Sequence, residues 1–234
     1  MNELCVNLVT RSELRGHSNL ARVLRVLSKE REFIQFDKVS FFEPIRTDFT
    51  EGIIPSIAST DNYSILLKDS SHTISASIWM NNWIRTIFLE TNRWNENIIR
   101  DVQLIIKEIA DIVIVDFAFL DILTNRVVQN GIRMGAVRKT HRDKDSYIYS
   151  LFPKALSRGV PDAYHYMLFS KDVLKNVAAF ITEMQTVYEI NVSERYLDCN
   201  LSEKMGVDDD EVNQKKDCAL KIITSYFMAE YWTS

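Results

Sequence analysis

Leu4, Val6 and Leu8 recur at every second position, a period that predicts a strand over residues 3–10 with one buried face. Leu20, Val23, Leu24 and Leu27 then fall at i, i+3, i+4 and i+7, the stripe of an amphipathic helix that closes in Lys29-Glu30-Arg31-Glu32. The segments 33–42, 65–68, 73–80 and 84–91 are rich in β-branched and aromatic residues and predict strands, with Asn81-Asn82 as a hairpin tip. Asn95 is placed as an N-cap for Ile98, Val102, Ile105, Ile109 and Ile112, again at helical spacing. From Val113 to Leu123 the pattern fits a strand or a buried helical continuation, and periodicity does not separate them.

Later in the chain, 163–169 predicts a strand. Ser170 stands as an N-cap and Asp172 in the first turn of a helix over 171–185 with Val173, Val177, Phe180 and Met184 inward. Strands over 186–192 and 195–201 are joined tightly through Ser193-Glu194. A last helix follows Asp208-Asp209-Asp210-Glu211. The order predicts one α+β domain over 1–234, mostly antiparallel sheet with flanking helices. Two similar strand-helix-strand halves, 1–125 and 145–234, are joined by a basic connection containing Arg126, Arg133, Arg138, Lys139, Arg142 and Lys144.

With 46% hydrophobic residues, six Gly and four Pro among 234, the chain is neither disordered nor rich in linkers. Cys5, Cys199 and Cys218 make an odd number without a C-x-x-C pair, and residues 1–6 lack a basic region followed by an apolar one. Reduced thiols and a cytoplasmic location are expected. Asp111, Asp116 and Asp121 interrupt the longest apolar-rich segment, so no membrane span is expected. A net charge of -4 argues against a general grip on nucleic acid and fits a basic protein partner.

Chemical motifs are sparse. The glycines form no phosphate-binding loop, and only Gly131 and Gly135 lie close together, in a basic stretch where an isolated anion contact is conceivable. His17, His72, His141 and His165 are widely separated, and the acidic run 208–211 lacks the alternating ligands and central Gly of a calcium loop, so no metal or cofactor is expected. Asp162 with Glu189-Ile190-Asn191 imitates a nuclease motif, but Asn191 stands where Lys is required. Acids before a helix are also explained by its dipole. Trp79, Trp83 and Trp94 cluster around the hairpin, and Trp83 beside its tip is the candidate exposed anchor.

The order of features in the last third resembles the polymorphic-toxin immunity proteins grouped as immunity protein 52, related to type VI secretion immunity proteins. The similar stretch includes Leu151-Phe152-Pro153 and Gly159-Val160-Pro161-Asp162-Ala163-Tyr164-His165-Tyr166-Met167-Leu168-Phe169-Ser170. The helix of 171–185, the hairpin of 186–201, Asn213-Gln214 and the closing helix continue it. Tyr164-His165-Tyr166 replaces the family's tryptophan-containing strand, and the first half agrees in layout.

The resemblance implies a non-enzymatic protein that binds one cognate secreted toxin, often a nuclease, and covers its active site. Between Thr186 and Asp217 nine acids face four bases, which makes this region the candidate toxin-binding surface: Asp198, Glu203, Asp208, Asp209, Asp210 and Glu211, with Trp83 as an aromatic anchor. Two other readings stay open. One is a small cytosolic enzyme using His165 and carboxylates such as Asp162; the other is a nucleic-acid module using Arg133, Arg138, Lys139, Arg142 and Lys144. A homodimer is equally compatible with an exposed Trp.

Overall fold

The computed structural model describes residues 3–12, 14, 18–41, 47–59, 64–70, 74–80, 85–91, 94–139, 147–149, 151, 153–202, 204–207 and 209–233. The chain divides into two compact units, one of Met1–Asn7 with Asp116–Ser234 and one of Leu8–Val115. The first strand, β1 (Leu4–Thr10), contributes residues to both. All seven of its positions are buried rather than one face. Asn7 explains how a polar side chain is accommodated there, because its Oδ1 accepts from the Leu151 N–H at 3.0 Å.

In the Leu8–Val115 unit the elements are α1 (Ser18–Ser28), β2 (Lys38–Ser40), β3 (Thr47–Asp48), α2 (Ile54–Ala58), β4 (Ser64–Lys68), β5 (Ile74–Met80), β6 (Arg85–Thr91) and α3 (Glu96–Ile112). Its strands pair antiparallel in the order β6-β5-β4-β2-β3. Of the strand predicted over 33–42, only Lys38–Ser40 is a strand among the described residues, and the tip Asn81-Asn82 lies outside them. Asn95 caps α3 as expected, its Oδ1 accepting from the Asn97 and Ile98 N–H groups at 3.0 Å each. The apolar stripes of α1 and α3 are buried, including Leu20, Val23, Leu24 and Leu27, and Ile98, Val102, Ile105 and Ile109.

The other unit contains β7 (Phe117–Ile122), α4 (Asn125–Met134), β8 (Val137–Lys139), β9 (Tyr147–Tyr149), α5 (Pro153–Leu156), β10 (Tyr166–Ser170), α6 (Val177–Met184), β11 (Glu189–Val192), β12 (Tyr196–Asn200) and α7 (Asp210–Tyr226). Four strands pair antiparallel in the order β11-β12-β10-β7, and β8 pairs with β9. Together the two units make an α+β protein with antiparallel sheets. The 113–123 ambiguity resolves into strand β7, buried at all six positions. Phe117, Phe119, Phe169, Phe180, Tyr149 and Tyr164 build its aromatic core, with Phe119 stacked on Tyr164 at 3.8 Å between ring centroids.

Two local expectations are corrected. Residues 125–134 of the stretch read as a basic connection form helix α4, capped by Thr124 and stopped by Gly135 in the left-handed region at φ 75°. Gly131 is a packing residue: a Cβ there would lie 2.4 Å from Val137 Cγ2 and 2.5 Å from Tyr149 Cε2. The helix predicted over 171–185 is split. Ser170 caps only a 3-10 turn, Lys171–Val173, and Asn176 caps α6 by accepting from the Ala179 N–H at 3.2 Å.

Candidate functional site

Helix α7 begins at Asp209, Asp210 and Glu211, three of the acids singled out in the sequence, and its own stripe explains how it is held. Val212, Lys216, Ala219 and Ile223 share the buried face, so a lysine occupies a core position. The Lys216 Nζ donates to Asp121 Oδ2 on β7 at 2.7 Å, with the two side chains 5% and 1% exposed. The same oxygen accepts the His165 N–H at 3.0 Å, and Asp121 Oδ1 accepts the Ile122 N–H at 2.8 Å. A buried charge pair is tolerated only when its remaining lone pairs are satisfied in this way.

A second ion pair lies in the same unit. Arg126 in the first turn of α4 grips Asp162, with Nη2 at 2.8 Å from Oδ1 and Nε at 3.2 Å from both carboxylate oxygens. Its Nη1 reaches Asp217 Oδ1 on α7 at 2.9 Å and donates to the Asn213 carbonyl at 3.4 Å. Asp162 is completely buried, and burial raises its pKa against the opposing pull of the Arg126 hydrogen bonds and charge. Burial also works against the guanidinium, yet the hydrogen bonds and charges of Asp162 and Asp217 leave the Arg126 pKa raised. Arg126 therefore ties α4, the segment before β10 and α7 together.

Phenol groups complete this interior. Tyr149 and Tyr164 share a hydroxyl hydrogen bond of 2.6 Å, and the Tyr188 hydroxyl donates to the Tyr164 carbonyl at 2.6 Å. Burial pushes the pKa of all three well above the ordinary tyrosine value. The two residues considered for catalysis are thus interior: Asp162 is engaged by Arg126, and His165 is 9% exposed with its N–H on Asp121.

The surface acids have local roles of their own. Asp209 is the N-cap of α7, its Oδ1 accepting the Val212 N–H at 2.9 Å. Asp210 and Glu211 occupy the first turn, exposed, and Glu211 pairs with Lys215 at 3.2 Å. Asp198 does not belong with them. It lies on β12, between β11 and β10, is 2% exposed and accepts from Asn200 Nδ2 at 2.7 Å, so it is an interior carboxylate and not part of a partner-facing surface. Glu203, Asp208 and Trp83 lie outside the described residues, as do Arg142 and Lys144 and the side chains of Arg138 and Lys139. Arg133 is exposed on α4. Among the described residues, the exposed aromatic ring is that of Trp79 on β5, at 52%.

No protein-family model and no curated protein matches the chain. Among solved structures it is similar to the Pseudomonas aeruginosa T6SS (type VI secretion system) protein PA0821, with a TM-score of 0.58 and 11% identity over 95% of this chain and 73% of that one. The two share a fold. A substrate-free duplicated taurocyamine kinase from Schistosoma mansoni aligns over 96% of this chain and 31% of its own at 10% identity, with a TM-score of 0.30 that carries no argument.

In the Leu8–Val115 unit a cleft of about 720 Å³ lies beside the end of α1. Among the charged residues that line it, Arg25 pairs with Glu51 at 3.9 Å and Lys38 with Asp48 at 2.5 Å. Among the described residues, no group of three or more His, Cys, Asp or Glu is placed to hold a metal ion, and no helix is long and apolar enough to cross a membrane.

The sequence holds two signals of the interior site. Lys216 falls in an apolar helical stripe, and Asp121 interrupts the run Phe117-Ala118-Phe119-Leu120. A charge at a core position asks for an opposite charge elsewhere in the chain.

Proposed function

We propose that the chain is an immunity protein that binds a cognate secreted bacterial toxin, a nuclease, in the cytoplasm and neutralises it by covering its active site. The observation that carries the reading is the fold shared with a T6SS protein over 95% of the chain. The immunity protein 52 resemblance of residues 151–170 and the closing hairpin and helix supports it. A nuclease cleft is basic, and an acidic surface opposite it speeds encounter and selects the partner.

The toxin-facing surface on this reading is the start of α7, with Asp209, Asp210 and Glu211; Asp208, Glu203 and Trp83, which lie outside the described residues, are further candidates from the sequence. The buried pair Lys216–Asp121 and the contacts of Arg126 with Asp217 and the Asn213 carbonyl hold that helix. An acidic face on a fixed helix loses little conformational entropy on binding. The enzyme reading draws no support from Asp162 or His165, both interior.

The test is the association of the chain with the toxin encoded beside it. The triple variant Asp209→Asn, Asp210→Asn, Glu211→Gln removes charge while keeping a capping side chain, since Asn caps as well as Asp. Its association rate falls and becomes less sensitive to salt. An unchanged rate and salt dependence would remove this surface from the interface.

A further inference from the structure

Strand β11 ends the four-stranded sheet, and the turn that follows it fixes which way its peptide groups point. The Ser193 N–H donates to the Tyr196 carbonyl at 2.9 Å, so Ser193 faces β12. Along an antiparallel strand this direction alternates residue by residue. Asn191 and Glu189, opposite Asp198 and Asn200, therefore face β12 as well, while the N–H and C=O groups of Ile190 and Val192 point out of the sheet edge. The edge begins after Tyr188, whose N–H is taken by the Met184 carbonyl at 2.8 Å.

The side chains make this edge unusual. Glu189, Asn191 and Val192 are exposed, Val192 at 55%, which leaves an apolar side chain open to solvent beside outward peptide groups. Proteins ordinarily protect such an edge with charged side chains, Lys above all, with Pro or with a bulge. Residues 186–194 contain neither Lys nor Pro. The strand itself is acidic, because the charged residues from Asn176 through Glu194 are Glu183, Glu189 and Glu194, and the exposed cation Arg195 follows only in the turn. Glu183 is engaged by the Tyr226 hydroxyl at 2.5 Å, which leaves Glu189 and Glu194 as the exposed carboxylates flanking the edge.

We propose that β11 accepts an added strand from a partner protein, an extended segment carrying Lys or Arg. Main-chain hydrogen bonds to Ile190 and Val192 supply the attachment, Val192 supplies an apolar contact, and Glu189 and Glu194 select the basic residues. A second copy is the disfavoured occupant. Two-fold pairing centred on Asn191 sets Ile190 opposite Val192, Glu189 opposite Ser193 and Glu194 opposite Tyr188, so neither carboxylate meets a cation directly across the pair. A partner strand with Lys or Arg at those positions supplies the cations that a second copy does not. The inference does not require the partner to be a toxin, and its test uses none.

The experiment measures amide hydrogen exchange in the full chain by NMR with two synthetic peptides, Lys-Val-Lys-Val-Lys-Val and Glu-Val-Glu-Val-Glu-Val. The basic peptide slows exchange at Ile190 and Val192 by about tenfold and the acidic peptide does not. The variant Glu189→Lys with Glu194→Lys, altered only at exposed positions, reverses that preference. Val192→Pro removes an outward N–H without removing a bond to β12 and abolishes the protection. Equal protection by both peptides, protection by neither, or a preference unmoved by charge reversal overturns the proposal.

Discussion

In the unit that contains α7, β7 and β10 are buried at every position; in the Leu8–Val115 unit, β4 and β5 alternate between buried and partly or fully exposed residues. The consequence for polar groups is opposite. On β7, Asp121 has no route to water and is matched by Lys216, while Asp162 is matched by Arg126. On β5, Ser75, Ser77 and Trp79 take the less buried positions, and the ion pair of Lys38 with Asp48 is exposed. A strand buried on both faces turns each polar residue into a pairing requirement between distant parts of the chain. A strand with one open face does not.

The largest expected effect tests that contrast directly. Asp121→Ala leaves the Lys216 ammonium buried without its partner and lowers unfolding free energy by about 3–5 kcal/mol, measured by urea denaturation. Lys38→Ala leaves the denaturation midpoint where it was, because solvent screens that pair. Equal losses from the two substitutions would break the comparison.

Alkaline unfolding sharpens it. Burial raises the phenol pKa values of Tyr149, Tyr164 and Tyr188 well above 10.0, so these groups keep their protons in the folded chain while the unfolded chain releases them. The unfolded state then binds fewer protons, and stability falls as pH rises past 10, by about 4 kcal/mol per pH unit while all three contribute. Denaturation curves collected from pH 9 to 11 read the slope, and a flat profile contradicts the buried phenol cluster.

Gly131→Ala has a smaller effect. The added methyl meets Val137 and the buried ring of Tyr149, and the expected loss is about 1–3 kcal/mol by thermal or chemical denaturation. Trp79→Ser sits at the bottom of the series, with the melting temperature unchanged, because the indole is exposed on its strand. A clear loss there would mean that the sheet face of β5 is covered.

Local patterns made much of the fold legible and long-range pairing hid the rest. Asn95 and the isoleucine spacing after it announce α3 within one window of sequence, and Ser193-Glu194 announces the hairpin of β11 and β12. Arg126 reads as one more surface cation in a basic stretch until Asp162 and Asp217, 36 and 91 positions later, are brought to it. Asp198 counts as a surface acid by composition and is interior because β12 has a strand on each side. The helix over 171–185 looked continuous because Ser170 is a sound cap, although Asn176 offered a second start six residues on. At the start of α7 the acids were legible as a cluster, whereas their attachment through Lys216 was not, since a lone lysine in a helix is ordinarily solvated.

The most direct measurement is growth of a sensitive bacterial host expressing the product of the neighbouring gene, with and without this chain, together with co-purification of the two proteins. The neighbour alone is expected to arrest growth, the chain to restore it, and the two to purify as a stable complex. A neighbour that is harmless, or one that is toxic yet neither bound nor neutralised, would contradict the immunity reading.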